Sequence, residues 1–251
     1  MLLCWLAVAL GRDQMPERLA ALTCREADWA GLRVVVTGLG VSGFAAADAL
    51  IQHGAHVRVV DAQTPVEGTP MGQRAQILEV LDAELHLGDG AETALPVPAD
   101  EIDLVVTSPG WPPHQPLLAA AAAAGIPIWG DVELAWRMRP REGGAPWLLV
   151  TGTNGKTTTV QMLTSMLRAA GLRAASAGNV GTPVLDLVQD PEPYEVIAVE
   201  LSSFQLHWSH SLRPQAAACL NIAPDHLDWH GSLEEYARAK GKVYANAEIA
   251  C

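Results

Sequence analysis

The sequence predicts an α/β protein in two parts, a Rossmann-like domain followed by a phosphate-loop (P-loop) domain. Three observations carry this. Near residue 33 an apolar run, RVVVT, leads into Gly38-Leu39-Gly40-Val41-Ser42-Gly43. Near residue 147 another, WLLVT, leads into Gly152-Thr153-Asn154-Gly155-Lys156-Thr157. Between them Arg139 to Pro146 reads RPREGGAP, charged and rich in Gly and Pro, as linkers are. The expected layout is an extension over 1–28, the Rossmann-like domain over 29–140, a linker over 141–146 and the phosphate-loop domain over 147–251.

Composition narrows the function classes. Hydrophobic residues are 49% and charged residues 18% of 251 positions, enough to bury a real core. A formal charge of −12 argues against a nucleic-acid partner, which needs a basic stripe. A few lysines and backbone amides still suffice for a nucleotide. Cys4, Cys24, Cys219 and Cys251 are scattered without a C-x-x-C pair, so neither a disulfide framework nor a zinc site is expected. Cys219, within AAACLNI, reads as a core thiol.

Met1 to Leu10, MLLCWLAVAL, is apolar, and Ala7-Val8-Ala9 offers a small-x-small cleavage pattern. No Lys or Arg precedes the apolar run, as a secretory signal requires, and it is too short to span a bilayer. We therefore expect 1–28 to lie outside the first domain, in a cytoplasmic protein with no membrane partner.

In the first domain RVVVT is a strand, Phe44 to His53 a helix of small and apolar residues, and HVRVVD a strand ending at Asp61. Strand, G-x-G-x-x-G, helix, strand and acid form a dinucleotide-type fingerprint, the acid being placed to meet a ribose or base. Alone, this says NAD-dependent oxidoreductase; the bland alternative is a purely structural glycine turn. A helix is expected near Gln73 to Leu81, and a strand from Asp103 into the turn at Gly110. An alanine-rich helix should follow from Leu117 to Ala124, then the helix VELAWRM, with Asp131 as its N-cap.

In the second domain, WLLV, the glycines and the spacing of Val160, Leu163, Met166 and Leu167 give strand, turn and helix. The turn's N–H groups and the helix N-terminus converge where a phosphate chain would sit. Lys156 supplies a point charge, expected to be solvated until phosphate arrives, and the Thr157 hydroxyl can reach Mg²⁺. The loop is shorter than G-x-x-x-x-G-K-[ST], because Val150 stands five before Gly155. The alternative is a glycine turn with a merely exposed lysine.

Strands are then expected at Arg173 to Ala177, at Glu195 to Val199 ending in Glu200, and at Ala216 to Ile222 ending near Asp225 and His226. Ser232 to Asn246 should be a helix opened by a capping box from Ser232 to Glu235. Lys156, Asn179, Glu200 and His226 fall at strand carboxyl ends, where such sheets bind ligands. Mg²⁺ wants hard oxygen ligands, which makes Thr157 and Glu200 candidates. His226 suits a second metal better. Singly, each has a plainer reading as a solvated loop residue or helix cap, and Lys240 as a surface lysine.

Together TGTNGKTTT, GNVG, ELSSFQL, NIAPDHLDWH and YARAKGKVY resemble the Mur ligases of peptidoglycan precursor synthesis, over about Gly31 to Cys251. GLGVSG, SPG, GDVELAW and above all ELSSFQL resemble the branch of that family that adds D-glutamate. The resemblance implies that the first glycine turn takes a UDP-sugar, not NAD, with Gly38, Val41, Ser42, Asp61 and Gly110 as contacts. Relatives often carry Thr and Arg just after the acid, where this chain has Ala62 and Gln63. It further implies that Gly152, Thr153, Asn154, Gly155, Lys156, Thr157 and Thr158 bind ATP. Thr157 and Glu200 would hold Mg²⁺, with Mn²⁺ as an alternative, and Asn179 would lie against the UDP-sugar. His226 and a carbamylated Lys240 would hold a second metal. The catalytic set is then Lys156, Glu200, His226 and Lys240, acting in a monomer.

The reaction so implied joins D-glutamate to UDP-N-acetylmuramoyl-L-alanine through an acyl phosphate. Competing readings are an L-alanine-adding Mur ligase and a non-catalytic nucleotide-binding fragment. An oxidoreductase has no use for a second phosphate loop 114 residues beyond the first turn (152 minus 38). Glu248 to Cys251 reads as the start of another strand. The expectation is therefore an N-terminal fragment that lacks the amino-acid-binding domain and is inactive alone.

Overall fold

The structure is a computed structural model and describes residues 15–179 and 181–251. The Met1 to Leu10 segment, Cys4 and Val180 lie outside the described residues. The unbroken valine runs form parallel strands covered on both faces, as such strands must be. In the first domain β1 (Arg33–Thr37), β2 (His56–Asp61), β3 (Glu84–Leu87), β4 (Leu104–Thr107) and β5 (Ile128–Gly130) form one sheet in the order β3-β2-β1-β4-β5. Helices α2 (Val41–Gln52), α3 (Pro70–Val80), α4 (Pro116–Ala123) and α5 (Asp131–Arg137) connect and cover it. The order reverses between β1 and β4, and both strands end at that crevice.

The small residues of α2 let it lie close on the strands. A Cβ on Gly43 would stand 1.8 Å from the Gly38 carbonyl oxygen, so that position admits only glycine. Asp131 departs from its expected role. Gly130 is the N-cap of α5, and Asp131 is the first helical residue, turned toward Gln205 instead of its own helix.

The 1–28 extension also reads differently in the structure from its fifteenth residue on. Residues Met15–Ala21 form α1, whose Leu19 is buried, and Leu22, Cys24 and Trp29 follow it into the core. Burying Leu22 and Trp29 stabilises this attachment by roughly 1.5–3 kcal/mol each. Arg137 of α5 donates to the carbonyls of Leu19 and Leu22, closing the end of α1. Residues 15–28 thus pack on the first domain. The sequence hides this because α1 is only seven residues long, too short to show periodicity.

The second domain repeats the principle with β6 (Trp147–Thr151), β7 (Ala174–Gly178), β8 (Val196–Glu200), β9 (Ala216–Cys219) and β10 (Ile249–Ala250), all parallel, in the order β10-β9-β6-β8-β7. Its helices are α6 (Lys156–Ala169), α7 (Val184–Val188), α8 (Ser203–His207), α9 (Leu227–His230) and α10 (Leu233–Gly241). The strand expected to reach Ile222 stops at Cys219, and Leu220 to Pro224 are exposed loop. Cys219 is half-buried at that strand end, not in the core. Ser232 accepts from the Glu235 N–H at the start of α10, a simple N-cap in place of the expected capping box, and the helix ends sooner than expected, at Gly241.

One apolar cluster runs through both domains, from Leu22 and Trp29 through Val132 and Trp136 to Trp147, Leu185 and Leu206. Trp136 and Trp147 meet edge to face at 5.0 Å, and the Arg139 guanidinium lies 3.2 Å from the centre of the Trp136 ring. Beneath them Glu133 is fully buried. It accepts from the N–H groups of His210 (2.7 Å) and Ser211 (2.9 Å), the Ser211 hydroxyl (2.6 Å) and Arg137 Nε (2.6 Å). A buried carboxylate with four donors fixes α5 to the loop after α8. Among the described residues no helix is long and apolar enough to cross a membrane.

Candidate nucleotide and metal site

β6 delivers the chain into the loop Gly152 to Gly155, and α6 begins at Lys156. Gly155 sits at φ +85°, so the chain turns there and aims the first N–H groups of α6 at one point. Thr157, on that first turn, donates from Oγ1 to a carboxylate oxygen of Glu200 at 2.8 Å. Glu200 ends the neighbouring strand β8 and is 2% exposed. Its other oxygen accepts from Asn179 Nδ2 at 3.3 Å. Asn179 also donates its backbone N–H to the Glu200 carbonyl. Asn179 is thus bonded to Glu200 through both its side chain and its backbone. Strand order explains the grouping: β6 and β7 both flank β8, which brings residues 157, 179 and 200 to one edge.

Lys156 is half-buried, contrary to the expectation of a solvated ammonium. It curls over its own loop and donates to the carbonyls of Gly152 and Thr153, both at 2.9 Å. Lys240 of α10 reaches the same Gly152 carbonyl at 2.9 Å and is 2% exposed. It is no surface lysine. Burial, and then the charge of Lys156, push its pKa down to about 8. Burial raises the Cys219 thiol beside it, and the Lys240 charge counters part of that.

His226 lies farther out. Its backbone is left-handed, at φ +51°, its side chain is about half exposed, and Nε2 stands 3.5 Å from Asp225. Its ring packs on Phe204 at 4.8 Å and faces Tyr236 at 6.5 Å, while Lys240 Nζ lies 4.7 Å from the Tyr236 ring. Tyr236 is thus a shared wall of the site, and its hydroxyl pairs with Thr153 Oγ1 at 3.0 Å. His230 pairs with Ser203 Oγ at 2.9 Å, and burial, then the charges of His226 and Lys240, lower its pKa to about 4. Sequence reasoning missed Tyr236, His230 and Ser203. The four-residue spacing of His226 and His230 and the serine pair of ELSSFQL were the available signals.

Among the described residues no three His, Cys, Asp or Glu side chains converge as a metal cage. A hydroxyl and one carboxylate are a sparse but hard-oxygen set, which fits Mg²⁺ completed by phosphate and water. Lys240, as an ammonium bonded to a carbonyl, does not fit as a ligand in that form.

The first glycine turn is built differently. Gly38 sits at φ +89°, where a Cβ would lie 2.7 Å from Ser108 Oγ. That Oγ is buried and has no hydrogen-bond partner among the described residues. Asp61 accepts from the Leu39 N–H at 2.7 Å and the Gln63 N–H at 2.9 Å. Its carboxylate therefore holds the turn's shape with both oxygens. Arg74 of α3 donates to the Leu39 carbonyl at 2.9 Å, a cation that motif reading did not find. Val41 and Gly110 lie exposed, and Ser42 is half-buried on the first turn of α2. Burial raises the pKa of Asp131, which faces Gln205 across the domain boundary.

Two family models match the chain. One, described as the Mur ligase MurD-like N-terminal domain, covers residues 32–130, and the other, the Mur ligase middle domain, covers 150–250. A protein of Leifsonia xyli subsp. xyli named UDP-N-acetylmuramoylalanine--D-glutamate ligase is 52% identical over 252 aligned residues, 94% of this chain and 47% of that protein. One of the same name from Streptomyces avermitilis is 57% identical over 226, 89% of this chain and 46% of that one. The crystal structure of UDP-N-acetylmuramate:L-alanyl-gamma-D-glutamyl-meso-diaminopimelate ligase from Neisseria meningitides has a TM-score of 0.52 at 21% identity, covering 88% of this chain and 71% of that one. That likeness is one of fold. The chain spans about half the length of the curated relatives it matches.

Proposed function

This chain belongs to the Mur ligase family, and on that premise we propose that its second domain binds ATP with Mg²⁺ while its first binds a UDP-sugar. It would thereby supply the phosphate and metal side of a ligase that joins D-glutamate to UDP-N-acetylmuramoyl-L-alanine in the cytoplasm. The observation that carries the reading is the Thr157–Glu200 hydrogen bond at the foot of the phosphate loop, with Lys156 laid across it.

In this reading the first amides of α6 and the Lys156 ammonium bind the phosphates. Thr157 and Glu200 would hold the metal, which would supply positive charge against the negative charge of the transferred phosphoryl group. Asn179 keeps the Glu200 carboxylate in orientation. The γ-phosphoryl group moves from ATP to the L-alanyl carboxylate, giving ADP and an acyl phosphate. The D-glutamate amine then attacks that carbonyl, and phosphate leaves as the amide forms. The chain's contribution is positioning and charge neutralisation.

Lys240 fits the second-metal role only after carbamylation, in which the neutral amine attacks CO₂ and loses a proton. Its lowered pKa favours the neutral amine. His226 would complete that site.

Calorimetric titration tests the proposal. MgATP and UDP-N-acetylmuramoyl-L-alanine are expected to bind at separate sites, and NAD not at all. Binding of NAD without the UDP-sugar would overturn it.

A further inference from the structure

Asn221 follows β9 by two residues and is exposed, yet three hydrogen bonds tie it to the rim of the phosphate loop. Its side-chain oxygen accepts from the Asn154 N–H at 2.9 Å, and its side-chain NH₂ donates to the Asn154 carbonyl at 3.1 Å. Its own carbonyl accepts from the Thr153 N–H at 3.0 Å. One amide side chain thus mimics a strand partner for a single loop residue. Beside it Thr153 Oγ1 accepts from the Ala223 N–H at 3.0 Å, which extends the seam.

Hydrophobic burial does not hold this seam. Leu220 is 38% and Ile222 46% exposed, and Asn154 and Gly155 are exposed as well. The close approach of the loop to β9 depends on a glycine at 152. A Cβ on Gly152 would stand 3.1 Å from Leu220 Cβ and 3.3 Å from the Asn221 nitrogen. The hydrogen bonds of Asn221, together with those of Lys156, Lys240 and Tyr236 to Gly152 and Thr153, therefore select this loop conformation from the many a Gly-Thr-Asn-Gly segment can adopt.

We infer that Asn221 is a positioning residue for the phosphate loop: it occupies the amides of Thr153 and Asn154, so that the phosphate donors are those from Gly155 to Thr158. It does so without touching the nucleotide. Two consequences follow from the geometry. Thr153 and Asn154 are scaffold in this loop, although both fell within the expected ATP-binding set. The Gly152 carbonyl, on which Lys156 and Lys240 converge, is held in place by the same seam.

The inference rests on the proposed nucleotide site, and the test separates the two. The 251-residue chain, its Asn221→Ala variant and its Asn221→Asp variant are compared by residue-resolved amide hydrogen exchange and by calorimetry with MgADP. In Asn221→Ala the Asn154 amide is expected to exchange about tenfold faster or more, since its bond to the side chain is lost. MgADP affinity should also fall by about tenfold or more, with UDP-N-acetylmuramoyl-L-alanine affinity unchanged. Asn221→Asp keeps the acceptor and should keep the Asn154 amide protected. Loop amides in Asn221→Ala as protected as in the parent, or unchanged MgADP affinity, would overturn the inference. If the parent fails to bind MgADP, the nucleotide reading falls, and exchange alone then decides whether Asn221 sets the loop.

Discussion

Lys156 and Lys240 donate to one and the same oxygen, the Gly152 carbonyl, each at 2.9 Å. Two ammonium groups on a single acceptor repel each other, and part of the lowering of Lys240 comes from that charge. An anion arriving at the loop would relieve the repulsion.

Lys156→Ala is therefore expected to weaken MgATP binding by about 10–100-fold, the worth of charge-assisted bonds to phosphate. Stability should change by no more than about 1 kcal/mol, because Lys240 still satisfies the Gly152 carbonyl. Calorimetry and urea denaturation of the same preparation measure both. Equal losses in each would mean that Lys156 is a structural residue.

Thr157→Val keeps the side-chain shape and removes the hydroxyl that meets Glu200. The expected outcome is nucleotide binding that no longer strengthens when Mg²⁺ is added, at a stability cost of about 1 kcal/mol. Titrating ADP with and without Mg²⁺ reads this directly. An undiminished Mg²⁺ effect would place the metal elsewhere.

Glu133 joins the domains through three of its four donors, those of His210 and Ser211. Burial by itself would raise its pKa, but the Ser211 hydroxyl, the His210 and Ser211 N–H groups and Arg137 outweigh it and hold the carboxyl below its usual range. A carboxyl lowered on folding contributes stability above its unfolded pKa and loses it as pH falls through the folded value. Glu133→Ala should cost about 3–5 kcal/mol at pH 7, because Arg137 loses its buried partner. The penalty should shrink in strong acid. A pH-independent penalty in denaturant melts would contradict this account.

His207 predicts the milder acid response. Burial, then the positive charges of Lys242, His230 and His210, lower its pKa to about 4, and Glu235 opposes them. Its ring packs against Trp208 and Trp229, and Lys242 Nζ donates to its carbonyl. The unfolded chain takes up this proton near pH 6.5 and the folded chain only near 4. Stability is thus lost as pH falls between those values, by on the order of 1 kcal/mol for a partly solvated ring. Comparing melting temperatures at pH 7 and 5 for the parent and His207→Gln tests it. The variant should show a smaller drop.

Local chemistry made much of this protein legible as sequence. Valine runs broken by glycine announce parallel strands with loops at their carboxyl ends, and a Lys-Thr pair after such a break announces a phosphate loop. Those features are set by neighbours in the chain, so Lys156, Thr157 and Glu200 could be named as a candidate site. The partners of those residues were decided by strand order. Placing β8 beside both β6 and β7 is what puts Asn179 on Glu200. Running β9 along the other side of β6 is what brings Asn221 to Asn154. Packing α10 under the loop turned Lys240, which reads as an ordinary surface lysine, into a buried one on the Gly152 carbonyl. Asp61 shows the limit in the other direction, since its place after a strand is plain but its carboxylate closes the glycine turn. Periodicity records which face of an element is covered. It does not record what covers it, because hydrogen bonds between residues 67 or 88 positions apart leave no trace in local pattern.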